Sequence, residues 1–312
     1  MTPADDFHDS AYDGLLDHHT VADDSQWAFG TAFEDPLAGV DTTVPAGEDP
    51  HALAAYCLML GDDALVNAHR LSEWCSRAPD LEEDIALSNI ALDLLGQARL
   101  LLARAATASP DVVPPLPPGS PVPPEDALAF FRDDAAFRNV RLVEGNNGDF
   151  AVTIIRLLLF STWRLALLER LQSSRDQVLA AVAAKGVKEV TYHRDYAGRW
   201  FLTLARGTDE SRSRLLAGLD EVWRFHDELF VPTRTEASLA DSGVGVDPAT
   251  VAEEVAGLLD QVFSVSGVDR PDLPQVGAVA GGRGRDGRHT EAFSHLLAKM
   301  QSVARAHPSG RW

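Results

Sequence analysis

Proline recurs so densely between residues 107 and 124 that no helix can run through this stretch. It parts the chain into two sections. Both carry helical periodicity, and neither shows an alternating strand pattern of useful length. A helical chain divided by one long extended crossover has few architectures open to it. Ahead of the prolines, the pattern predicts two helices joined by a short turn, and so packed antiparallel. The first covers about 51–77, with a kink expected at Gly61-Asp62-Asp63. Ala78-Pro79-Asp80 ends it, because the residue before a proline resists the helical conformation. The second covers about 80–106, with Asp80 as N-cap and Glu83 completing a capping box. From Ile85 to Ala106 only Asp93, Arg99 and Arg104 are charged, which predicts a central helix buried all round.

After the crossover, a short helix is expected over 125–139 and a tight turn at Gly145-Asn146-Asn147-Gly148. A third core helix covers 149–171, mostly apolar but interrupted by Arg156 and Arg164, and a fourth covers 176–206. Further helices are expected over 210–230, 248–265 and 290–306. Residues 231–247 read as a loop. Gly281 to Arg288 read as a flexible basic loop whose other role would be contact with an acidic partner or a phosphate. The expectation is an all-α, ferritin-like four-helix bundle with accessory helices and a long Pro-rich crossover.

Composition narrows the class. A chain of 312 residues with 45% apolar side chains can bury a sizeable core. The net charge of -20 argues against nucleic acid and anionic lipid as partners. Residues 1–50 hold twelve Asp and Glu and no Lys or Arg. Residues 1–49 therefore read as an acidic, disordered extension, with the folded domain spanning 50–312. The other reading is an arm that docks on a partner through Trp27, Phe29 and Phe33. Cys57 and Cys75 match neither a disulfide scaffold nor a zinc site. No secretory pattern opens the chain, and no charge-free run is long enough to span a membrane. A cytoplasmic protein without a membrane partner is expected.

A ferritin-like di-iron centre has a fixed demand: a Glu from each of two helices and Glu-x-x-His from each of the other two. The second helix offers Asp93-Leu94-Leu95-Gly96, with glycine where imidazole should stand. The fourth offers Glu189-Val190-Thr191-Tyr192, with a phenol in that place and His193 one step on. The third offers Asp149 and, two turns later, Arg156, and the first has no Glu near Asp63 to Asn67. Asp93, Asp149, Arg156, Glu189, Tyr192 and His193 are thus expected to form a buried polar cluster at a former metal position. Arg156 would supply the positive charge that metal would otherwise supply. No catalytic, cofactor-binding or metal-ligating residue is expected. Neither Gly-x-Ser-x-Gly nor a phosphate-binding Gly-x-x-x-x-Gly-Lys is present.

Several blocks carry a family resemblance. They are Leu60 to Leu65, Arg70 to Cys75, Glu82 to Leu87, Leu92 to Arg99, Asn147 to Ala151, Lys188 to His193 and Gly287 to Glu291. In consistent order over about 50–312, they resemble the C subunits of phenylacetyl-CoA epoxidases. The resemblance implies a ferritin-like paralogue with a decayed metal site, forming a stable heterodimer with a catalytic A subunit. In that family the A subunit holds the di-iron centre and binds the CoA thioester, and the B subunit bridges such pairs. The E subunit, a flavin and iron–sulfur reductase, passes electrons from NADPH. The alternative is an active ferritin-like di-iron oxygenase. A third reading is an interaction protein that works through its acidic arm.

Overall fold

The computed structural model of the protein describes residues 39–310. The expected disorder of the acidic extension falls largely on residues 1–38, outside the described residues. Residues 39–49 belong to the folded body. Arg104 donates to the Thr42 carbonyl at 2.6 Å, and Arg175 pairs with Glu48 at 2.9 Å.

Helix α1 (Pro50–Ser72) is capped by Asp49, which accepts the His51 N–H. It runs unbroken through Gly61, where a kink was expected. A Cβ there would lie 3.1 Å from Leu102 Cδ2 and 3.3 Å from Leu101 Cβ. The glycine lets α1 close on α2 instead of bending. Helix α2 (Leu81–Ala108) is capped by Asp80, which accepts the Glu83 N–H. The return half of the expected box does not form. The Glu83 side chain turns instead to Tyr196 and Trp200.

The Pro-rich crossover and the short α3 (Pro124–Phe130) lead to α4 (Phe150–Leu171), capped by Asp149. A turn over 172–176 leads to α5 (Gln177–Arg206), capped by Asp176. In the fold, α1 packs along α2 and α4 along α5, and these four form the core of an all-α bundle. Helices α6 (Asp209–Trp223), α7 (Arg234–Asp241), α8 (Ala252–Ser266) and α9 (Glu291–Ala306) pack around it. Both α2 and α4 are long and apolar enough, by length and composition, to cross a membrane. Helix α4 places that apolar surface wholly inside the bundle. Helix α2 does not, contrary to expectation: Leu81, Ile85 and Leu92 stand 71%, 53% and 57% exposed. Their spacing of four and seven puts all three on one face.

Three further expectations need correcting. Helix α3 stops at Phe130, short of 139, because Arg132 turns inward to pair with Asp62 of α1, and Asp62 also accepts the Arg138 N–H at 2.8 Å. Within 231–247, read as a loop, α7 forms behind a complete capping box of Thr233 and Glu236. The basic loop at 281–288 is not a loose appendage. Arg285 is buried and pairs with Asp63 of α1 at 2.8 Å, while also donating to the Met59 and Arg138 carbonyls. A Cβ at Gly284 would sit 2.2 Å from the Asn139 carbonyl oxygen, so only glycine allows this approach. Asp62 and Asp63, where a kink was expected, are the anchors for two distant segments.

His69 of α1 sits edge-on to Phe130 with ring centroids 6.5 Å apart, and its Nε2 has no hydrogen-bond partner. Burial lowers its pKa from 6.5 to about 4. The unfolded chain therefore binds a proton that the folded chain refuses. Stability from this site is full above about pH 6.5 and lost as pH falls toward 4. His69→Phe is expected to flatten that part of the wild-type profile by up to one proton, read as the difference between urea midpoints across this window. Equal slopes in the two proteins would contradict it.

Candidate functional site

The candidate site lies between α2 and α5, which run antiparallel and are joined by a ladder of side-chain pairs. At one end, Arg104 meets Asp176 at 2.5 Å, both buried. Next, Gln97 donates to Glu189 at 3.0 Å, and Lys185 stands 3.5 Å from the same carboxylate. Then His193 Nε2 lies 3.0 Å from Asp93 Oδ2. At the far end, Glu83 Oε2 accepts both the Tyr196 hydroxyl and the Trp200 indole N–H, the latter at 2.7 Å. Gly186 makes room for the middle of this ladder. A Cβ there would lie 2.9 Å from Leu168 and 3.5 Å from the Gln97 amide.

The structure thus brings together Asp93, Glu189 and His193. Tyr192 joins only at the rim, 46% exposed, with its ring near His193 and Tyr196. The other two expected members lie elsewhere. Asp149 caps α4 by accepting the Val152 N–H at 3.1 Å. Arg156 spends its guanidinium on the turn before α4, donating to the carbonyls of Gly145 and Asn146 and to Asn147 Oδ1. It does not neutralise the cluster.

The arginine that reaches the middle of the bundle is Arg164, fully buried, with Nη2 3.4 Å from Gln97 Oε1. Its Nε and Nη1 have no protein partner. Burial lowers its pKa to about 10. Asp63 opposes that shift and Arg285 adds to it. On α1, buried Asn67 has neither amide atom hydrogen-bonded to protein. Each core helix therefore sends a buried polar side chain inward: Asn67, Gln97, Arg164 and His193. Burial also raises the pKa of Glu189, against the hydrogen bond from Gln97.

These residues do not fit a dinuclear iron centre. Iron there requires four carboxylates and two imidazoles on one set of inward faces. The faces here hold two amides, a guanidinium, one imidazole and one buried carboxylate, Asp63, which Arg285 already engages, with Asp93 and Glu189 at the edge. Among the described residues, no three His, Cys, Asp or Glu side chains are grouped so as to hold a metal ion. A fixed guanidinium at the centre would repel a cation.

A family model described as "Phenylacetic acid catabolic protein" matches residues 39–312. The chain belongs to this family. It is also 42% identical, over 265 residues, to the C subunit of the 1,2-phenylacetyl-CoA epoxidase of Escherichia coli (strain K12). That alignment covers 83% of this chain and 99% of the relative.

Three residues of the family member's polar interior escaped sequence reasoning: Asn67, Gln97 and Arg164. Arg164 carried no signal that set it apart from Arg156, because both interrupt the same apolar helix and local sequence does not say which one reaches the bundle centre. Gln97 carried no signal, because one uncharged amide in an apolar helix belongs to no ligand pattern. Asn67 was hidden in the same way.

Proposed function

We propose that this chain is a non-catalytic structural subunit of a phenylacetyl-CoA 1,2-epoxidase, in aerobic phenylacetate breakdown. It pairs with and stabilises a catalytic A subunit that carries the di-iron centre and binds the CoA thioester. In this reading the chain holds no cofactor, and the B subunit and the NADPH-dependent flavin and iron–sulfur reductase complete the complex. The observation that carries the reading is Arg164 between Gln97 and the α1 face. A protein-borne cation stands where a metal-binding bundle needs anionic ligands.

The exposed apolar face of α2 supports the pairing. Leu81, Ile85 and Leu92 form a stripe that a monomer gains nothing by leaving in water. The ladder beneath holds α2 and α5 rigid, so docking costs little ordering. Co-expression with the A-type homologue tests both parts. A stable complex is expected, with iron in the partner and none tightly held by this chain. About two irons per copy of this chain in isolation would favour an active oxygenase and sink the proposal. Ile85→Asp or Leu92→Asp is expected to weaken the complex about 30-fold or more, the effect of removing an anchor worth roughly 2 kcal/mol. Unchanged affinity in both variants would place the interface elsewhere.

A further inference from the structure

Gly96 sits inside α2 with open space above it. Among the described residues, nothing lies within 4 Å of where its Cβ would stand. Two other glycines inside core helices are answered within the chain. Gly61 is met by Leu102 at 3.1 Å, and Gly186 by Leu168 at 2.9 Å. Glycine weakens a helix interior relative to alanine, and no described neighbour accounts for it at position 96. Ile85 lies eleven residues earlier on the same helix. Eleven residues are close to three full turns, so the two share a face. Ile85, 53% exposed, is a knob without a socket, and Gly96 is a socket without a knob. Leu81 and Leu92 repeat the spacing of eleven on the same exposed face.

Their order along the helix specifies what can cover them. Let a second α2 lie antiparallel over the first, with a two-fold axis passing between Ile90 and Ala91. Ile85 of each copy then falls opposite Gly96 of the other. The same axis brings the two Leu92 side chains within one turn of each other and sets Leu81 level with Leu100. Every contact occurs twice, as in any isologous pair. The charges agree with this register. Glu82 is exposed in the first turn of α2, and Arg99, with its side chain 62% exposed, lies toward the other end. Glu125 is 3.7 Å from Arg99, too far for a hydrogen bond, so the guanidinium has capacity to spare. The register that seats Ile85 on Gly96 also sets Glu82 level with Arg99 of the other copy.

We propose that this chain, on its own, pairs with a second copy of itself across α2, in the antiparallel register that places Ile85 over Gly96. The area sets the strength of the pairing. A helix of 28 residues is about 42 Å long. With a width of about 10 Å it offers roughly 400 Å² per copy, or about 800 Å² in all. Stable interfaces bury about 1,200 Å² or more, so this dimer belongs with the transient ones. The consequence, though not the pairing itself, rests on the reading above. The A-type partner takes the same face, so the second copy covers the apolar stripe until that partner displaces it.

Sedimentation equilibrium of the full-length chain alone tests this, in about 0.15 M salt to screen its net charge of -20. A reversible monomer–dimer equilibrium is expected in the micromolar range. Gly96→Leu is the deciding variant. It fills the socket and should weaken the dimer about tenfold or more. It also removes a glycine from a helix interior and meets no described neighbour, so the urea midpoint of the monomer should hold or rise. Weaker pairing then cannot be put down to misfolding. Ile85→Ala should weaken the dimer as well. Combining Ile85→Ala with Gly96→Leu moves the knob to the other side of each contact and should recover most of the lost affinity. Three results would overturn the proposal: a chain still monomeric at about 0.5 mM, a dimer that Gly96→Leu leaves unchanged, or a double variant no stronger than Gly96→Leu alone. No partner enters the measurement. A failed co-expression would leave it valid, and a monomeric chain would leave the A-type pairing untouched.

Discussion

Arg285→Ala is expected to lower the unfolding free energy by about 3–5 kcal/mol, the range seen when one partner of a buried ion pair is removed. The size follows from what stays behind. Asp63 has no solvent exposure, and its carboxylate would be left with the Val140 N–H alone among its present donors. The Met59 and Arg138 carbonyls would lose a donor as well. Burial already pushes the Asp63 pKa up, and Arg285 is the largest influence opposing it. Without Arg285 the folded state would favour a protonated Asp63. The deficit should therefore shrink as pH falls through the raised folded-state pKa. Adding Asp63→Asn to Arg285→Ala should recover part of the loss at neutral pH. Urea unfolding of the single and double variants at two pH values measures this. A loss below about 1 kcal/mol would mean that water reaches Asp63 and that the loop is dispensable.

Arg164→Met is expected to work in the opposite direction and to raise stability by about 1–3 kcal/mol. Methionine follows the path of the arginine stem without its charge. Arg164 holds one weak contact, 3.4 Å to Gln97, and buries two nitrogens, Nε and Nη1, with no protein partner. Removing an unsatisfied buried cation relieves a desolvation cost that its distant attraction to Asp63 offsets only in part. The readout is again the urea midpoint. A fall of more than about 1 kcal/mol would show that ordered water satisfies those donors. The same variant separates stability from assembly. If the charge is kept only as a remnant of a metal site, the affinity for the A-type partner should not change.

The two variants show how differently two arginines in apolar surroundings can be used. Arg285 ties a loop, read as flexible, to the middle of α1. Arg164 occupies the bundle centre almost unsupported. From the sequence, Arg156 looked the better occupant of the cluster, because it interrupts an equally apolar run and follows Asp149. What separates the three arginines is the level each reaches on a neighbouring helix. That level depends on packing register and not on local composition.

Sequence alone determined the parts of this protein that depend on short-range rules. The long core helices, the proline crossover, the cap at Asp80 and the gaps in the di-iron ligand pattern all follow from neighbours within a few positions. The family resemblance was legible for the same reason, as it rests on contiguous blocks. Tertiary structure alone decided which charges meet. Asp62 and Arg132 are 70 positions apart, and Asp63 and Arg285 are 222 apart, so no local pattern announces either pair. It also decided that α4 and not α2 is the wholly buried helix. Both are apolar enough for the interior, and only the arrangement of α6 and α8 against α4 leaves one face of α2 open. Hydrophobic burial does not depend on direction, so an apolar helix states that it must be covered without stating by what.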